Sequence, residues 1–484
     1  LPTAEYLHGD RLTVISEVVD PPPGMDNVID CFPPPPRQMK TLVTVYDVTD
    51  RDSPALVQKT ELDGRYVQSR RIDDFVYLVQ DHDQGEILLP PPELLDEPVT
   101  PETGRVHESQ ERYVERMQEE IDSIIDSILP HYTSFGPDGE IVQTGFLNAP
   151  EDLFQPPSDG ARNLISVVSL NVGSDIPGIS QSTGILTDGA DKIYGSLESL
   201  YVFDDQSTPE DRSVTQISKF DWNAQTGTVE FAARGRVAGR MLNQFSADEY
   251  EGDLRIATTV SNSGSGNWSG RSETALFVLR DDAGVLEFVG GMQNLALDES
   301  IRSVRFMGER AFVTTFRNID PLFALDLSDP AHPESRGHVT MPGFNSYMQL
   351  IDETHILAVG RNTPAVGSGP TQVSLFDVSD LSRPELIDQY TFERFSTSEA
   401  EADHHAFGWF AEHRVLAMPS ARSYFQRVDE DGDGYHETRK PFREDQLFAF
   451  QIDVTATRES GDGIRLLGEI EHQSPVRRSA FIDG

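Results

Sequence analysis

One acidic loop has the composition and spacing of a calcium site. Residues 429–437 read DEDGDGYHE, so carboxylates stand at the first, third, fifth and ninth positions. Ca²⁺ takes about six to eight oxygen ligands, and short loops supply them from alternate side chains and a backbone carbonyl. Gly434 permits the sharp turn that gathers these oxygens around one point. The sequence therefore predicts a structural Ca²⁺ held by Asp429, Asp431, Asp433, the carbonyl of Tyr435, and Glu437.

The loop differs from a helix–loop–helix calcium site. Lys440 stands at the twelfth position, where that motif needs a bidentate Glu. The flanking sequences HRVLAMPS and QLFAFQI alternate as strands do, so residues 420–444 are interpreted as a long hairpin inserted into a larger β structure. The alternative is an acidic, solvated loop in a chain that has 81 acidic residues.

Two further groups of residues have types suited to chemistry. Asp403, His404 and His405 precede AFGWF in a predicted strand. Adjacent strand residues point to opposite faces, so the two histidines form a poor joint ligand set. We expect one of them to make a structural hydrogen bond inside the blade. A metal-binding, copper or catalytic role for the pair is the alternative.

The second group is a set of charged residues within one repeat. Arg302 and Arg305 differ in parity, so a regular strand would place them on opposite faces. With Arg317 and Asp320 they are expected either to form buried ion networks or to line a ligand site.

These groups lie in a chain that repeats itself. The repeat consists of an apolar strand of the form hhhDh, in which h is an apolar residue, then an acidic turn and a second alternating strand. It begins at Leu42, Leu322 and Val373, with looser copies near Leu164, Val214, Ala275 and Gln446. Val, Ile, Phe and Tyr dominate, and Asp, Ser and Pro punctuate the strands. Radial stacking buries both faces of such units. The sequence predicts an all-β fold, a β-propeller of about seven or eight four-stranded blades in one domain over 1–484.

Two features interrupt or close the predicted ring. Residues 90–159 form an insertion in which apolar residues spaced by three and four predict an amphipathic helix over about 108–129. We expect it to cap the flank of the blades, or alternatively to dock a partner. Residues 5–18 resemble half a repeat and are expected to complete the last blade. The alternative is a chain truncated at both ends, with one more blade in the complete protein.

Composition limits the partners. Asp and Glu number 81 against 39 Lys and Arg, giving a net charge of −42, and only five of the basic residues are Lys. Such a surface argues against nucleic acid and anionic membranes, and it is typical of proteins from saline environments. Apolar runs of the roughly 18 residues that a transmembrane segment needs are missing. The single cysteine, Cys31, excludes an internal disulfide.

Several stretches resemble a known family. SIRSVRFMGERAFVTTFRNIDPLFALDLSDP from Ser300, LFDVSDLSRPELID from Leu375 and DHHAFGWFAEHRVLAMP from Asp403 are similar to the secreted "beta propeller domain" family of archaea and bacteria. The resemblance implies the propeller fold and export, and the acidity indicates a haloarchaeal member. Asn267 lies in an N-glycosylation acceptor, which suits an exported protein. Separately, the 429–437 loop resembles the calcium hairpins of integrin α-subunit propellers.

Two functions follow as expectations. The first is a secreted or cell-surface binding or scaffold module, a monomer whose ligand is a protein, a glycan or a small molecule. The second is a propeller hydrolase of the lactonase or phosphatase kind, with a metal in its central channel. An enzyme needs carboxylates or histidines from several blades to converge on one point, whereas a scaffold needs none. Motifs for a nucleophile elbow, a phosphate loop or a zinc site are missing, so the first function is favoured.

Overall fold

Sets of four antiparallel strands follow one another along the chain, and further strands extend several of the sheets. The structure is a computed structural model. It describes residues 2–20, 38–83, 92–93, 107–121, 125, 129–154, 163–174, 178–187, 192–207, 213–223, 225–262, 271–316, 320–362, 369–428 and 438–479. The chain divides into two compact units. Unit 1 comprises Leu1–Gln206 and Gln216–Arg234, and unit 2 comprises Ser207–Thr215 and Gly235–Gly484.

Unit 1 contains three of these four-stranded sets. The first has the order β1-β2-β3-β4 and is extended by β7 and β8, the second has the order β5-β6-β10-β11 with β9 at its edge, and the third has the order β12-β13-β14-β15. Most of β14 and β15 lies in this unit. The bounds are β1 Pro2–His8, β2 Arg11–Asp20, β3 Gln38–Asp47, β4 Ala55–Asp63, β5 Arg65–Ile72, β6 Phe75–Asp83, α1 Gln110–Glu119, β7 His131–Phe135, β8 Ile141–Phe146, β9 Leu153–Phe154, β10 Asn163–Asn171, β11 Gly178–Thr187, β12 Lys192–Gly195, β13 Ser199–Ser207, β14 Ser213–Asn223 and β15 Thr228–Ala238.

Unit 2 contains four such sets. In the first, β18 pairs with β19, β19 pairs with β20, and the short strands β16 and β17 both pair with β18. The next two sets run β21-β22-β23-β24 and β25-β26-β27-β28, and in the last β31 pairs with β29, β30 and β32, followed by β33. The bounds are β16 Arg240–Met241, β17 Ala247–Tyr250, β18 Asp253–Asn262, β19 Arg271–Asp282, β20 Val285–Met292, β21 Ser300–Met307, β22 Arg310–Phe316, β23 Asp320–Asp326, β24 Glu334–Met341, β25 Phe344–Leu350, β26 His355–Arg361, β27 Thr371–Asp377, β28 Glu385–Thr391, β29 Ser396–Thr397, β30 Gly408–Phe410, β31 Val415–Val428, β32 Thr438–Ile452 and β33 Ile464–His472.

The repeated hhhDh motif forms the third strand of a set, and its Asp ends that strand. The Oδ1 atoms of Asp47, Asp326 and Asp377 accept hydrogen bonds from the backbone N–H two residues further on, at 2.9, 3.1 and 2.8 Å. An Asp side chain that bonds the backbone in this way turns the chain away from the strand. The motif is therefore a strand terminator repeated from one sheet to the next.

The apolar cores lie between successive sheets. One core in unit 2 joins Leu357 and Leu375 of one sheet to Leu416 and Phe450 of the next. Another joins Phe312 to Ile356, and in unit 1 a core joins Tyr77 to Phe220. The sheet β25–β28 contributes to two of these cores and is thus buried on both faces, which explains the apolar residues on both sides of its central strands. The prediction of an all-β fold built from stacked four-stranded sheets is confirmed, with seven such sets in the described part of the chain.

The expected role of the N-terminal strands is wrong. Residues 5–18 lie in β1 and β2, and β2 pairs with β3 from Arg11↔Asp47 to Asp20↔Gln38. They begin the first sheet and do not complete the last one, where β29 and β30 pair with β31. The reason is the phase of the repeat: each sheet starts two strands before its hhhDh strand.

The predicted insertion 90–159 contains α1 and the added strands β7, β8 and β9. Ser109 caps α1 by accepting a hydrogen bond from the N–H of Arg112, and α1 ends at Glu119, although Ile121 and Ile125 are helical as well. Val114, Ile121 and Ile125 are exposed. The strands β7 and β8 continue the first sheet beyond β4.

The first strands of four sheets share one irregularity. A β-bulge inserts a single extra residue near the start of β1, β5, β21 and β25. A bulge reverses the facing of the residues that follow it relative to those before it. The extra residues are Thr3, Val67, Arg302 and Ser346.

Candidate ligand-binding site

Side chains from four segments of unit 2 meet around one arginine. Arg305 lies on β21 and Tyr347 on β25, the first strands of neighbouring sheets. Phe245 lies in a 3₁₀ turn that Asn243 caps, since its side chain accepts the N–H of Phe245 at 3.0 Å. His404 lies in the 3₁₀ turn His404–Ala406, ahead of β30. We call Phe245, Arg305, Tyr347 and His404 the arginine cluster.

Arg305 is held between two aromatic rings. Its guanidinium carbon lies 4.7 Å from the centre of the Phe245 ring and 5.3 Å from that of Tyr347. One guanidinium nitrogen donates to the Tyr347 hydroxyl at 2.9 Å. That hydroxyl in turn donates to Gln349 at 3.2 Å, and burial raises the pKa of Tyr347, although Arg305 opposes the shift. The rings fix the plane of the guanidinium and stabilise its charge.

Arg302 is held in the same manner by a different pair of rings. Its guanidinium carbon lies 5.2 Å from the centre of the Phe316 ring and 5.5 Å from that of Phe344. Arg302 is the bulged residue of β21, so the parity argument made from the sequence does not apply. Both arginines are stabilised by aromatic contacts. Among the described residues, Arg302 and Arg305 do not form the buried ion network that was one of the two expectations.

The lack of a counter-ion distinguishes these arginines from others in the chain. Arg255, Arg280 and Arg361 pair with acidic side chains. Within the described ranges, neither Arg302 nor Arg305 forms an ion pair with an Asp or Glu. In a chain with 81 acidic residues, this leaves the guanidinium edge of Arg305 with unused hydrogen-bonding capacity and an uncompensated charge.

His404 lies against the same rings. Its imidazole meets Phe245 edge-on at a centroid distance of 5.1 Å and lies 6.2 Å from the Tyr347 ring. Burial lowers the pKa of His404 to about 4, and the charges of His405, Arg305 and Arg478 act in the same direction against that of Asp403. The imidazole is therefore neutral at pH 7. Its ring nitrogens have no hydrogen-bond partner among the residues that the structure describes.

Asp403 and His405 form a local pair beside His404. The Asp403 carboxylate accepts the backbone N–H of His405 at 3.0 Å and contacts its Nδ1 at 2.8 Å. Burial opposes ionisation, but these bonds and the His405 charge outweigh it and hold the pKa of Asp403 below its usual value. Arg478 lies 3.6 Å from the other carboxylate oxygen. One of the two histidines thus makes a local hydrogen bond to Asp403 at an exposed position in the turn, and not inside the blade as expected.

The predicted strand at this position is wrong. Asp403 caps a 3₁₀ turn instead, and the turn brings ligand atoms of Asp403, His404 and His405 within 4.8 Å of one another. The three residues have the chemistry of a metal site. Their surroundings are cationic, however, because Arg305 and Arg478 both act on His404. Two guanidinium groups at this position favour an anion over a dication.

Other residues singled out by the sequence are placed differently. Asp320 begins β23, whereas Arg317 lies outside the described residues. The predicted calcium ligands Asp429, Asp431, Asp433, Tyr435 and Glu437 also lie outside them. The strands β31 and β32 on either side pair as far as Val428↔Thr438. The sequence reasoning missed Phe245 and Tyr347, since ordinary aromatic residues so far apart give no local signal.

The chain belongs to the beta propeller domain family, whose model matches residues 2–483. This agrees with the resemblance found in the sequence. An uncharacterised protein of Archaeoglobus fulgidus is 39% identical over 218 residues, covering 45% of this chain and 32% of the relative. An uncharacterised protein of Methanocaldococcus jannaschii is 32% identical over 229 residues, covering 45% of this chain and 35% of the relative. The matches thus span about a third of these archaeal relatives.

Comparison with solved structures gives matches at low sequence identity and low TM-score. The periplasmic gluconolactonase of Pseudomonas aeruginosa is 12% identical, with a TM-score of 0.37 over 64% of this chain and 80% of that one. A eukaryotic initiation factor is 8% identical, with a TM-score of 0.38 over 90% and 85%. Neither likeness carries functional weight. Among the described residues, no helix has the length and hydropathy that a membrane crossing needs.

Proposed function

We propose that this β-propeller is a secreted or cell-surface binding module, and that the arginine cluster takes a ligand bearing one carboxylate. The observation that carries this proposal is Arg305 itself. It is a guanidinium with no acidic partner among the described residues, stacked between Phe245 and Tyr347 in a strongly acidic protein. A partly buried charge without a counter-ion costs free energy, and a bound anion would supply that counter-ion.

The geometry suits specific recognition of a carboxylate. The rings hold the guanidinium plane in advance, so a carboxylate meets a donor edge that is already oriented. Tyr347 uses one guanidinium nitrogen, which leaves the others for a ligand. The neutral imidazole of His404, beside the same rings, offers one further N–H.

The charge balance favours a monoanion. Arg478 is already paired with Asp403, and His404 is neutral at pH 7, so Arg305 contributes the one uncompensated charge of the cluster. A phosphate dianion would need more positive charge than this in a protein of net charge −42. A carboxylate-bearing small molecule, such as a sugar acid, matches the cluster better.

The matched sugars glucuronate and glucose test this proposal by calorimetry, because they differ only in the carboxylate. Glucuronate should bind and glucose should not. Arg305→Gln should weaken glucuronate binding at least about tenfold, the loss expected for a charge-assisted hydrogen bond. Arg305→Lys keeps the charge but loses the planar donor edge, so its effect should be intermediate. The control, Arg383→Gln, removes an equal charge from a side chain that is 78% exposed.

Several outcomes would overturn the proposal. Equal binding of glucose and glucuronate would show that the carboxylate is not recognised. Glucose 6-phosphate binding in place of glucuronate would show that the ligand is a phosphate. Failure of both glucuronate and galacturonate to bind to the unmodified protein would remove the carboxylate proposal altogether.

Two further properties belong to the same proposal. The first is a structural Ca²⁺ in the 429–437 loop, supported by its aligned carboxylates and by the paired strand ends Val428 and Thr438 that precede and follow it. The second is adaptation to high salt, supported by the net charge of −42 and the scarcity of Lys. The calcium ion would stiffen a long hairpin and take no part in ligand binding.

A further inference from the structure

A cavity in unit 1 has its own arginine and its own aromatic wall. It has a volume of about 110 Å³ and lies between the first strands of two neighbouring sheets, β5 and β12. Its lining comprises Gln68, Ser69, Arg70, Tyr77, Val79, Ile193, Gly195, Leu200 and Trp222. It is therefore independent of the arginine cluster, which lies in unit 2.

The aromatic wall is rigid and turns its polar atoms away from the cavity. The rings of Tyr77 and Trp222 lie 4.8 Å apart, and both residues are buried. The indole N–H of Trp222 donates to the carbonyl of Leu197 at 3.0 Å, and the Tyr77 hydroxyl donates to the carbonyl of Asn223 at 3.2 Å. Both rings therefore offer apolar surface to an occupant.

The polar side of the cavity is cationic. Arg70 donates one hydrogen bond to the carbonyl of Gly195. Within the described ranges it forms no ion pair with an acidic side chain, although the chain has 81 of them. The neighbouring Ser69 hydroxyl is already engaged by the hydroxyls of Tyr6 and Tyr66, at 2.8 and 3.0 Å. Arg70 is the charged residue of the lining.

Arg70 occupies the same strand position as Arg305. Each lies three residues after the bulged residue of the first strand of its sheet, Val67 in β5 and Arg302 in β21. The turns that follow also match, with positive φ at Asp73 (47°) and Gly308 (49°). The repeat has thus placed an arginine without an acidic partner beside aromatic rings in two sheets.

We infer that this cavity is a second anion site, which binds a short-chain monocarboxylate. A cavity of about 150 Å³ holds benzene, so 110 Å³ suits an acid of a few heavy atoms such as acetate or propionate. The carboxylate would meet the Arg70 guanidinium, and the alkyl group would lie against Trp222. The inference goes beyond the proposed function because it rests on a separate cavity, and the two sites are distinguished by different arginine variants.

The experiment follows the fluorescence of Trp222 while acetate, propionate or neutral acetamide is added to the full chain. Trp268→Phe and Trp409→Phe remove the other two indoles. Acetate and propionate should change the emission saturably, whereas acetamide should not. Arg70→Gln should weaken binding at least about tenfold, and Arg305→Gln should leave it unchanged. The matched control is Arg65→Gln, on the same strand, where Arg65 is exposed and paired with Asp81.

A second variant fills the cavity and keeps the arginine. A Cβ at Gly195 would lie 2.9 Å from the Trp222 ring and 3.5 Å from Cδ of Arg70. Gly195→Ala should therefore reduce binding even if Arg70→Gln fails to fold. Equal responses to acetate and acetamide, or no saturable response to either acid, would overturn the inference. It would also be overturned if both Gly195→Ala and a folded Arg70→Gln variant bound as tightly as the unmodified cavity.

Discussion

The buried histidine His82 makes the free energy of unfolding depend on pH, and a single substitution should remove this contribution. The imidazole is buried in unit 1, and burial lowers its pKa to about 3. Its Nε2 contacts the Ser166 hydroxyl at 2.9 Å, and that hydroxyl donates its hydrogen to Asn148. Nε2 must therefore be the protonated nitrogen of a neutral ring.

The sign and size of the effect follow from linkage. The folded pKa lies below the unfolded value of about 6.5, so the unfolded chain binds more protons between these limits. Stability is therefore complete above about pH 7 and falls as the pH drops through 6.5. At pH 5 the loss is about 2 kcal/mol. This figure is set by the unfolded pKa and holds for any folded pKa below about 4.

The assay is urea unfolding at pH 7.5 and pH 5.0 in one fixed salt concentration, followed by tryptophan fluorescence, to which Trp222 of the same unit contributes. His82→Gln keeps an N–H for Ser166 but does not titrate. The unmodified protein should lose about 2 kcal/mol more than the variant between the two pH values, since contributions from other groups cancel in the comparison. Equal losses in the two proteins would show that burial does not lower the pKa of His82.

Three further outcomes are expected. Chelation of calcium should lower the melting temperature, and Asp431→Ala should abolish that response. The control Asp462→Ala, at an exposed position, should leave the response unchanged. An identical melting temperature with and without chelator in matched salt would contradict the calcium proposal. Gly343→Ala should destabilise the fold by roughly 2 kcal/mol more than Gly252→Ala. Both glycines have φ of 83°, but a Cβ at Gly343 would lie 1.8 Å from the Arg361 carbonyl oxygen, whereas a Cβ at Gly252 would contact nothing. Equal melting temperatures of the two variants would contradict this prediction. Raising KCl from 0.1 M to 2 M should raise the melting temperature by roughly 5 °C or more, and a flat response would count against adaptation to salt.

The fold was largely predictable because its signals are local and repeated. The alternation in VSLFDVSD and the Asp that ends the strand are decided within a few residues. The phase of the repeat was not predictable in this way. The hhhDh motif is the most regular part of each repeat but does not indicate which strand of the sheet it forms, and the pairing of β2 with β3 makes it the third strand.

The candidate site was only partly predictable because it depends on irregular backbone and distant residues. The bulge at Arg302 breaks the alternation of inward and outward residues along β21, and the sequence pattern does not indicate it. The Asp403 cap converts an apparent strand into a turn that orients His404. Phe245 and Tyr347 meet Arg305 from 60 and 42 positions away along the chain, so only the stacking of the sheets brings these rings together.

A structure of the full chain bound to glucuronate would test the proposed ligand site at Arg305 directly. The carboxylate should lie against the guanidinium edge of Arg305, within hydrogen-bonding distance of His404, with the Phe245 and Tyr347 rings still stacked on the arginine. A glucuronate bound elsewhere, or turned so that its hydroxyls and not its carboxylate face Arg305, would contradict the proposed site.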